Sequence, residues 1–190
     1  VEAPNLPECK WEPTFPEVDD FDDDKLNINF QTLRIPLAED IATLKERRGY
    51  LRLYGKESLQ SLFTQAYVGR RWQAFSFDAG TSVEFKPETF QQMAGLNCYY
   101  NTENWSSIHV TWNEAKGRVI DLVVADNGTF TMPLEGREIA VPENVTAVHF
   151  KVEVRVNKYQ YFYSFDGKDF QPVPVVLESY KLSDDYIRGG

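Results

Sequence analysis

From Gly49 onward the chain alternates apolar and polar positions in short runs, the two-residue period of strands with one buried face. Tyr50, Leu51 and Leu53 begin one such run. Leu59, Leu62, Phe63 and Tyr67-Val68 suggest a second, ending near Arg70-Arg71. Residues 75–85 alternate most regularly, and Pro87 stops them because proline has no N–H for a ladder. Further strands are expected at 92–100, 106–112, 118–124 and 129–132. Asp126-Asn127-Gly128 marks a hairpin turn, since Asn and Gly accept positive φ. Residues 148–156 and 159–165 form another hairpin, predicted to turn over Asn157-Lys158, and Asp166-Gly167 turns into 170–176. About ten short strands at regular spacing predict an all-β, antiparallel sandwich or barrel. One window, 38–47, is helix-like: Ile41, Leu44 and an Asp40/Lys45 pair support a short helical turn or a loop there. No βαβ alternation and no internal repeat is visible.

Before the strands lie two different segments. Residues 1–18 carry Pro4, Pro7, Pro13 and Pro16, which read as an extended inter-domain connector. Leu6, Trp11 and Phe15 in it need a surface to cover, either on residues 19–190 or on a neighbouring domain. The start lacks an initiator Met, a basic stretch and an apolar stretch, so it is no signal peptide and reads like the middle of a longer polypeptide. Asp19-Asp20-Phe21-Asp22-Asp23-Asp24 follows. An EF-hand loop counted from Asp20 needs Gly at its sixth position and Glu at its twelfth, where Lys25 and Gln31 stand. Two readings remain: a solvated acidic turn, or a structural calcium site of other geometry using Asp20 and Asp22.

Composition narrows the classes. At 190 residues the chain is long enough to bury roughly 70% of its unfolded surface without disulfide or metal. A net charge of −9 disfavours nucleic acid and anionic membrane surfaces and is compatible with a neutral sugar. No run reaches the roughly 18 apolar residues of a membrane helix. Cys9 and Cys98 read as free thiols. Asn-x-Ser/Thr sequons stand at Asn104, Asn127 and Asn144 and matter only for a eukaryotic secreted protein.

Catalytic chemistry is not spelled out. Sandwich glycanases place acids two apart on one strand so that both carboxylates share a face. Glu153 is the best acidic strand position, but Arg155 takes the place of a second acid, which predicts a surface charge pair. His109 and His149 each lie in an alternating strand without the motif of a triad or a zinc site. No Gly-rich phosphate loop occurs, so nucleotide binding has no support. Tyr159, Tyr161, Tyr163 and Phe165 share one strand face, with Phe162 on the other. They either fill the core or present a platform for stacking sugars.

Several stretches resemble one family. Pro4-Asn5-Leu6-Pro7-Glu8, Asp19-Asp20-Phe21-Asp22, Leu33-Arg34-Ile35-Pro36, Gly49-Tyr50-Leu51-Arg52-Leu53 and Glu57-Ser58-Leu59 are similar to segments of the C-terminal concanavalin-A-like sandwich of glycoside hydrolase family 43 β-xylosidases. The most specific match is 90–102; Ser164-Phe165-Asp166-Gly167-Lys168 resembles a turn shared more widely among such sandwiches. The resemblance implies a two-sheet jelly roll over 19–190 that ends before the family's last strands. It implies a parent enzyme whose catalytic five-bladed β-propeller precedes this chain and acts on xylo-oligosaccharides, with arabinofuranosides as further substrates. No cofactor is expected beyond the calcium reading of Asp20 and Asp22. The parent is expected to be homo-oligomeric, and the bacterial cytoplasm is the compartment the family's habit points to. On this reading the chain is a non-catalytic accessory domain. The rivals are a free-standing carbohydrate-binding module using strand aromatics, and an unrelated glycanase of the same fold.

Overall fold

A computed structural model describes residues 16–187. The described residues pack as two compact units, one formed by 16–56 with Ala66–Arg70, the other by Glu57–Gln65 and 71–187.

In the first unit β1 (Ala42–Thr43) pairs antiparallel with β2 (Arg52–Leu53). The helix-like window becomes one turn only: the Ile41 and Ala42 amides both donate to the Ala38 carbonyl, and β1 begins at once. The anticipated Asp40/Lys45 pair does not form; Lys45 bonds Glu39, and Asp40 faces Lys56 at 3.4 Å. Gln31 and Gly69 exchange backbone bonds of 2.8 and 2.9 Å.

The second unit is a sandwich of two antiparallel sheets. Its strands are β3 (Ser76–Val83), β4 (Ala94–Tyr99), β5 (Trp105–Asn113), β6 (Gly117–Asp126), β7 (Thr129–Thr131), β8 (Ile139–Ala140), β9 (Val148–Arg155), β10 (Lys158–Ser164) and β11 (Gln171–Glu178). One sheet runs β11-β10-β9-β3 and the other β4-β5-β6-β7, with β8 on β6. A short 3-10 turn, Ser179–Leu182, follows β11. Alternation decides the layering: Val148, Phe150, Val152 and Val154 point inward from β9 and meet Ile108, Val110, Ile120 and Leu122 from the facing sheet. Each such side chain contributes about 1.5–3 kcal/mol by leaving water.

Three sequence expectations change. Leu59, Leu62, Phe63 and Tyr67-Val68 make no strand; Leu62 and Phe63 are exposed, and only the isolated bridges Glu57–Gln65 and Gln31–Gly69 form nearby. The 148–164 hairpin turns one residue early, over Val156-Asn157, because Lys158 pairs with Arg155. β8 had no signal in a two-residue stretch. Elsewhere the pattern holds, including Asn127 and Gly128 at φ 47° and 75°. Gly95 faces His109 on β5, where a methyl group would lie 2.6 Å from His109 Cα and closer still to the Ile108 carbonyl. Only glycine lets β4 approach so closely.

Candidate functional site

The acids come first, because a glycosidase needs two. β3 lies against β9 with Asp78 directly opposite Glu153. A second acid therefore does share the face of Glu153, contrary to the sequence expectation; it arrives from another strand, through register. Facing residues on antiparallel strands sit about 5 Å apart, close to the spacing of a retaining pair. Cations occupy both. Arg155 reaches Asp78 at 2.6 Å and Glu153 at 3.4 Å, and Lys151 reaches Glu153 at 2.7 Å. A catalytic acid or nucleophile has to be open to a substrate, and both carboxylates are instead engaged by these cations. The predicted Glu153/Arg155 charge pair is thus present and extended to four groups.

His109 is buried on β5. Its Nδ1–H donates to the Ser107 carbonyl at 3.1 Å, while Nε2 has no hydrogen-bond partner. Burial pushes its pKa down to about 4. His149 lies on the outer face of β9, its ring 3.1 Å from where a side chain on Gly167 would begin. Ser107 Oγ lies 3.4 Å from His109 Nδ1, the nitrogen already bonded to the Ser107 carbonyl, and the pair is buried away from any substrate.

The tyrosines fill the core. Tyr161 Oη accepts from the Cys98 amide at 3.0 Å and lies 2.8 Å from Ser106 Oγ, which is also 2.8 Å from Tyr159 Oη. This polar bridge ties β10 to β4 and β5 across the interior. Burial raises the pKa of both tyrosines and pushes the Cys98 thiol up to about 12. Tyr163 and Phe165 contact each other at 5.4 Å, half-buried. The four aromatics form no exposed platform for a sugar ring.

Asp20 and Asp22 are exposed on either side of a bend at Phe21, and Asp22 Oδ1 bonds Arg48 at 3.3 Å. Among the described residues no group of three or more His, Cys, Asp or Glu side chains is arranged to hold a metal. Leu6, Trp11, Phe15 and Cys9 lie outside the described residues. Of the sequons, Asn104 is buried.

Two features had no sequence signal. At one end of the sandwich Asp126 receives Lys181 Nζ at 2.8 Å and Tyr186 Oη at 2.9 Å. Partial burial pushes its carboxyl up, but these two donors outweigh that and hold it below the usual range. They border an open cleft of about 580 Å³ with Val124, Thr129, Thr131, Pro133 and Leu177. The second feature is the edge position of β3, a strand that the alternation predicts but whose neighbours it does not. It is an eight-residue edge strand that pairs with β9 alone among the described residues. Ala79 and Thr81 stand opposite the core-facing Val152 and Phe150, yet both are exposed. An uncovered strand of this length is a surface that native proteins ordinarily cover.

Residues 18–190 match the family of β-xylosidase C-terminal concanavalin A-like domains. The chain is 53% identical to a β-xylosidase of Bacillus subtilis (strain 168) over all of its own length and 36% of that relative's. It is 32% identical to a xylosidase/arabinosidase of Humicola insolens, covering 84% of this chain and 30% of that one. The crystal structure of a xylan β-1,4-xylosidase from Bacillus halodurans C-125 superposes with a TM-score of 0.90 at 38% identity, over 96% of this chain and 35% of that chain. The chain thus spans about a third of the length of the relatives it matches.

Proposed function

Because the chain belongs to the family of β-xylosidase C-terminal concanavalin A-like domains, we propose that it is the accessory sandwich of a larger glycoside hydrolase. The parent releases xylose from xylo-oligosaccharides, with arabinofuranosides as a second substrate class. Its catalytic carboxylates belong to a separate domain, a β-propeller, on which the sandwich packs. The observation that carries this reading is the state of Asp78 and Glu153: the facing acids of β3 and β9 are bound to Arg155 and Lys151 rather than left for a substrate. The length relation supports it, since two thirds of the Bacillus subtilis relative lies outside the matched region. The uncovered β3 suits a domain that works joined to more polypeptide.

The test is to offer the chain xylo-oligosaccharides and follow both released xylose and heat of binding. The accessory reading expects neither. Hydrolysis would overturn it, and binding without hydrolysis would favour a carbohydrate-binding module.

A further inference from the structure

Asn127 is the one asparagine in the chain that a glycine follows. That pair carries chemistry of its own. The amide nitrogen of the following residue attacks the asparagine side-chain carbonyl and closes a five-membered ring, and glycine has no side chain to obstruct the approach. A fold suppresses the reaction by holding the backbone or by bonding the asparagine amide.

Little holds Asn127. Asn127-Gly128 is the two-residue turn between β6 and β7, and both residues are exposed. Nothing lies within 4 Å of where a side chain on Gly128 would begin. Among the described residues no partner binds the Asn127 side-chain amide. One bond stands in the way: the Gly128 N–H, which must give up its proton to attack, donates to the Glu103 carbonyl at 3.0 Å. Beyond the turn β7 is a three-residue edge strand, exposed throughout, so the hairpin tip opens locally. Losing one exposed backbone hydrogen bond shifts an equilibrium by only about two- to tenfold.

Asp166-Gly167 is a turn of related sequence in the opposite state. Asp166 Oδ1 accepts from the Lys168 and Asp169 amides at 2.8 and 2.9 Å and from Ser164 Oγ at 2.8 Å. The Gly167 N–H donates to Ser164 Oγ at 3.0 Å. Both the group to be attacked and the attacking nitrogen are therefore held.

We propose that Asn127 is a site of spontaneous covalent modification in the folded domain. The Gly128 nitrogen loses its proton to solvent and bonds to Asn127 Cγ; the bond from Cγ to the side-chain nitrogen breaks, and ammonia leaves with that proton. Water then opens the ring. Attack at Cγ leaves aspartate at 127, and attack at the main-chain carbonyl leaves an isoaspartyl linkage, in which the backbone is one carbon longer. Either product places a carboxylate next to Asp126, which accepts from Lys181 and Tyr186 at the cleft. The isoaspartyl linkage also lengthens a turn whose flanking residues, Asp126 and Thr129, pair directly, and so loosens β7.

The chain is aged in mildly alkaline buffer beside a synthetic peptide of residues 122–132, and both are mapped by mass spectrometry for conversion of amide to acid. Isoaspartate is scored by enzymatic methylation of its free carboxyl group. The folded chain is expected to convert at Asn127 at a rate no more than about tenfold below the peptide's, with Asp166-Gly167 unchanged. A larger deficit means that the reaction waits for wider unfolding and overturns the proposal, as does isoaspartate that forms first at 166. Asn127→Gln, whose ring closure is far slower, should remove the new acidic species from the aged chain; its persistence would place the modification elsewhere. Hydrogen exchange at 129–131 should be severalfold faster in the modified fraction than in the unmodified one, and equal exchange would refute the loosening of β7.

Discussion

Tyr161→Phe removes one oxygen from the centre of the sandwich. That oxygen accepts from the Cys98 amide at 3.0 Å and faces Ser106 Oγ at 2.8 Å and the Ser106 carbonyl at 3.2 Å. Phenylalanine keeps the ring and its packing, so no large cavity forms. What changes is polar satisfaction. The Cys98 N–H, on edge strand β4, loses the Tyr161 oxygen as its acceptor in a buried setting. Ser106 Oγ keeps Tyr159 as a partner and suffers less. Leaving one buried donor unmet costs about 1–3 kcal/mol, which gives about 2 kcal/mol for the substitution. In a domain of this length that lowers the melting midpoint by about 4–8 °C. Urea denaturation monitored by fluorescence, with unchanged slope, measures the same loss as a shifted midpoint. Ser106→Ala and the double variant complete the cycle; coupling above about 0.5 kcal/mol is expected because the groups share one network. A loss below about 0.5 kcal/mol for Tyr161→Phe, or strict additivity, would refute the bridge as a tie between the sheets.

Four further outcomes follow from the same geometry. Gly95→Ala forces a methyl group against the Ile108 carbonyl and His109 Cα, so loss of soluble, cooperatively folding protein is expected and checked by circular dichroism. Cys98, with its thiol pushed up to about 12, should resist iodoacetamide at pH 8 until denaturant is added, as read on the Cys98 peptide by mass spectrometry. His109 has a folded pKa near 4 against 6.5 unfolded, so the unfolded chain binds the extra proton first; stability should fall by up to about 3 kcal/mol as pH drops from about 6.5 to 4, and His109→Asn should flatten that slope in melts across the window. Asp121, whose carboxyl is raised by burial, acts in the opposite direction on acidification, which is why the difference between wild type and the His109 variant is the proper readout. Adding calcium or a chelator should leave the melting midpoint unchanged, whereas a chelator-induced drop of several degrees would establish the calcium reading of Asp20 and Asp22.

Much of the sandwich was legible because a half-buried strand writes its own alternation. β9 reads valine, phenylalanine, valine, valine at every second position and packs that way. Asn127-Gly128 likewise announced a turn. The failures have physical causes. Leu62 and Phe63 look like strand residues, but among the described residues no strand takes them up, and periodicity cannot reveal a missing partner. The β9–β10 turn fell on Val156 instead of Asn157 because register with β10, not turn propensity, set it. Asp78 and Glu153 are 75 residues apart in number, and only the β3–β9 pairing makes them neighbours. The Asp126, Lys181 and Tyr186 cluster is likewise assembled from distant segments. Sequence pattern therefore gave the layers, whereas the charge networks needed the register.

The central claim is that this sandwich is a dependent part of a larger enzyme, in which the exposed edge of β3 is covered. Chemical denaturation of the chain alone, set beside denaturation of the same residues within the full-length parent, tests it directly. A tryptophan signal assigned to Trp72 reports both. The account predicts a clearly higher midpoint for the sandwich in the parent. Identical midpoints in the two settings would contradict it.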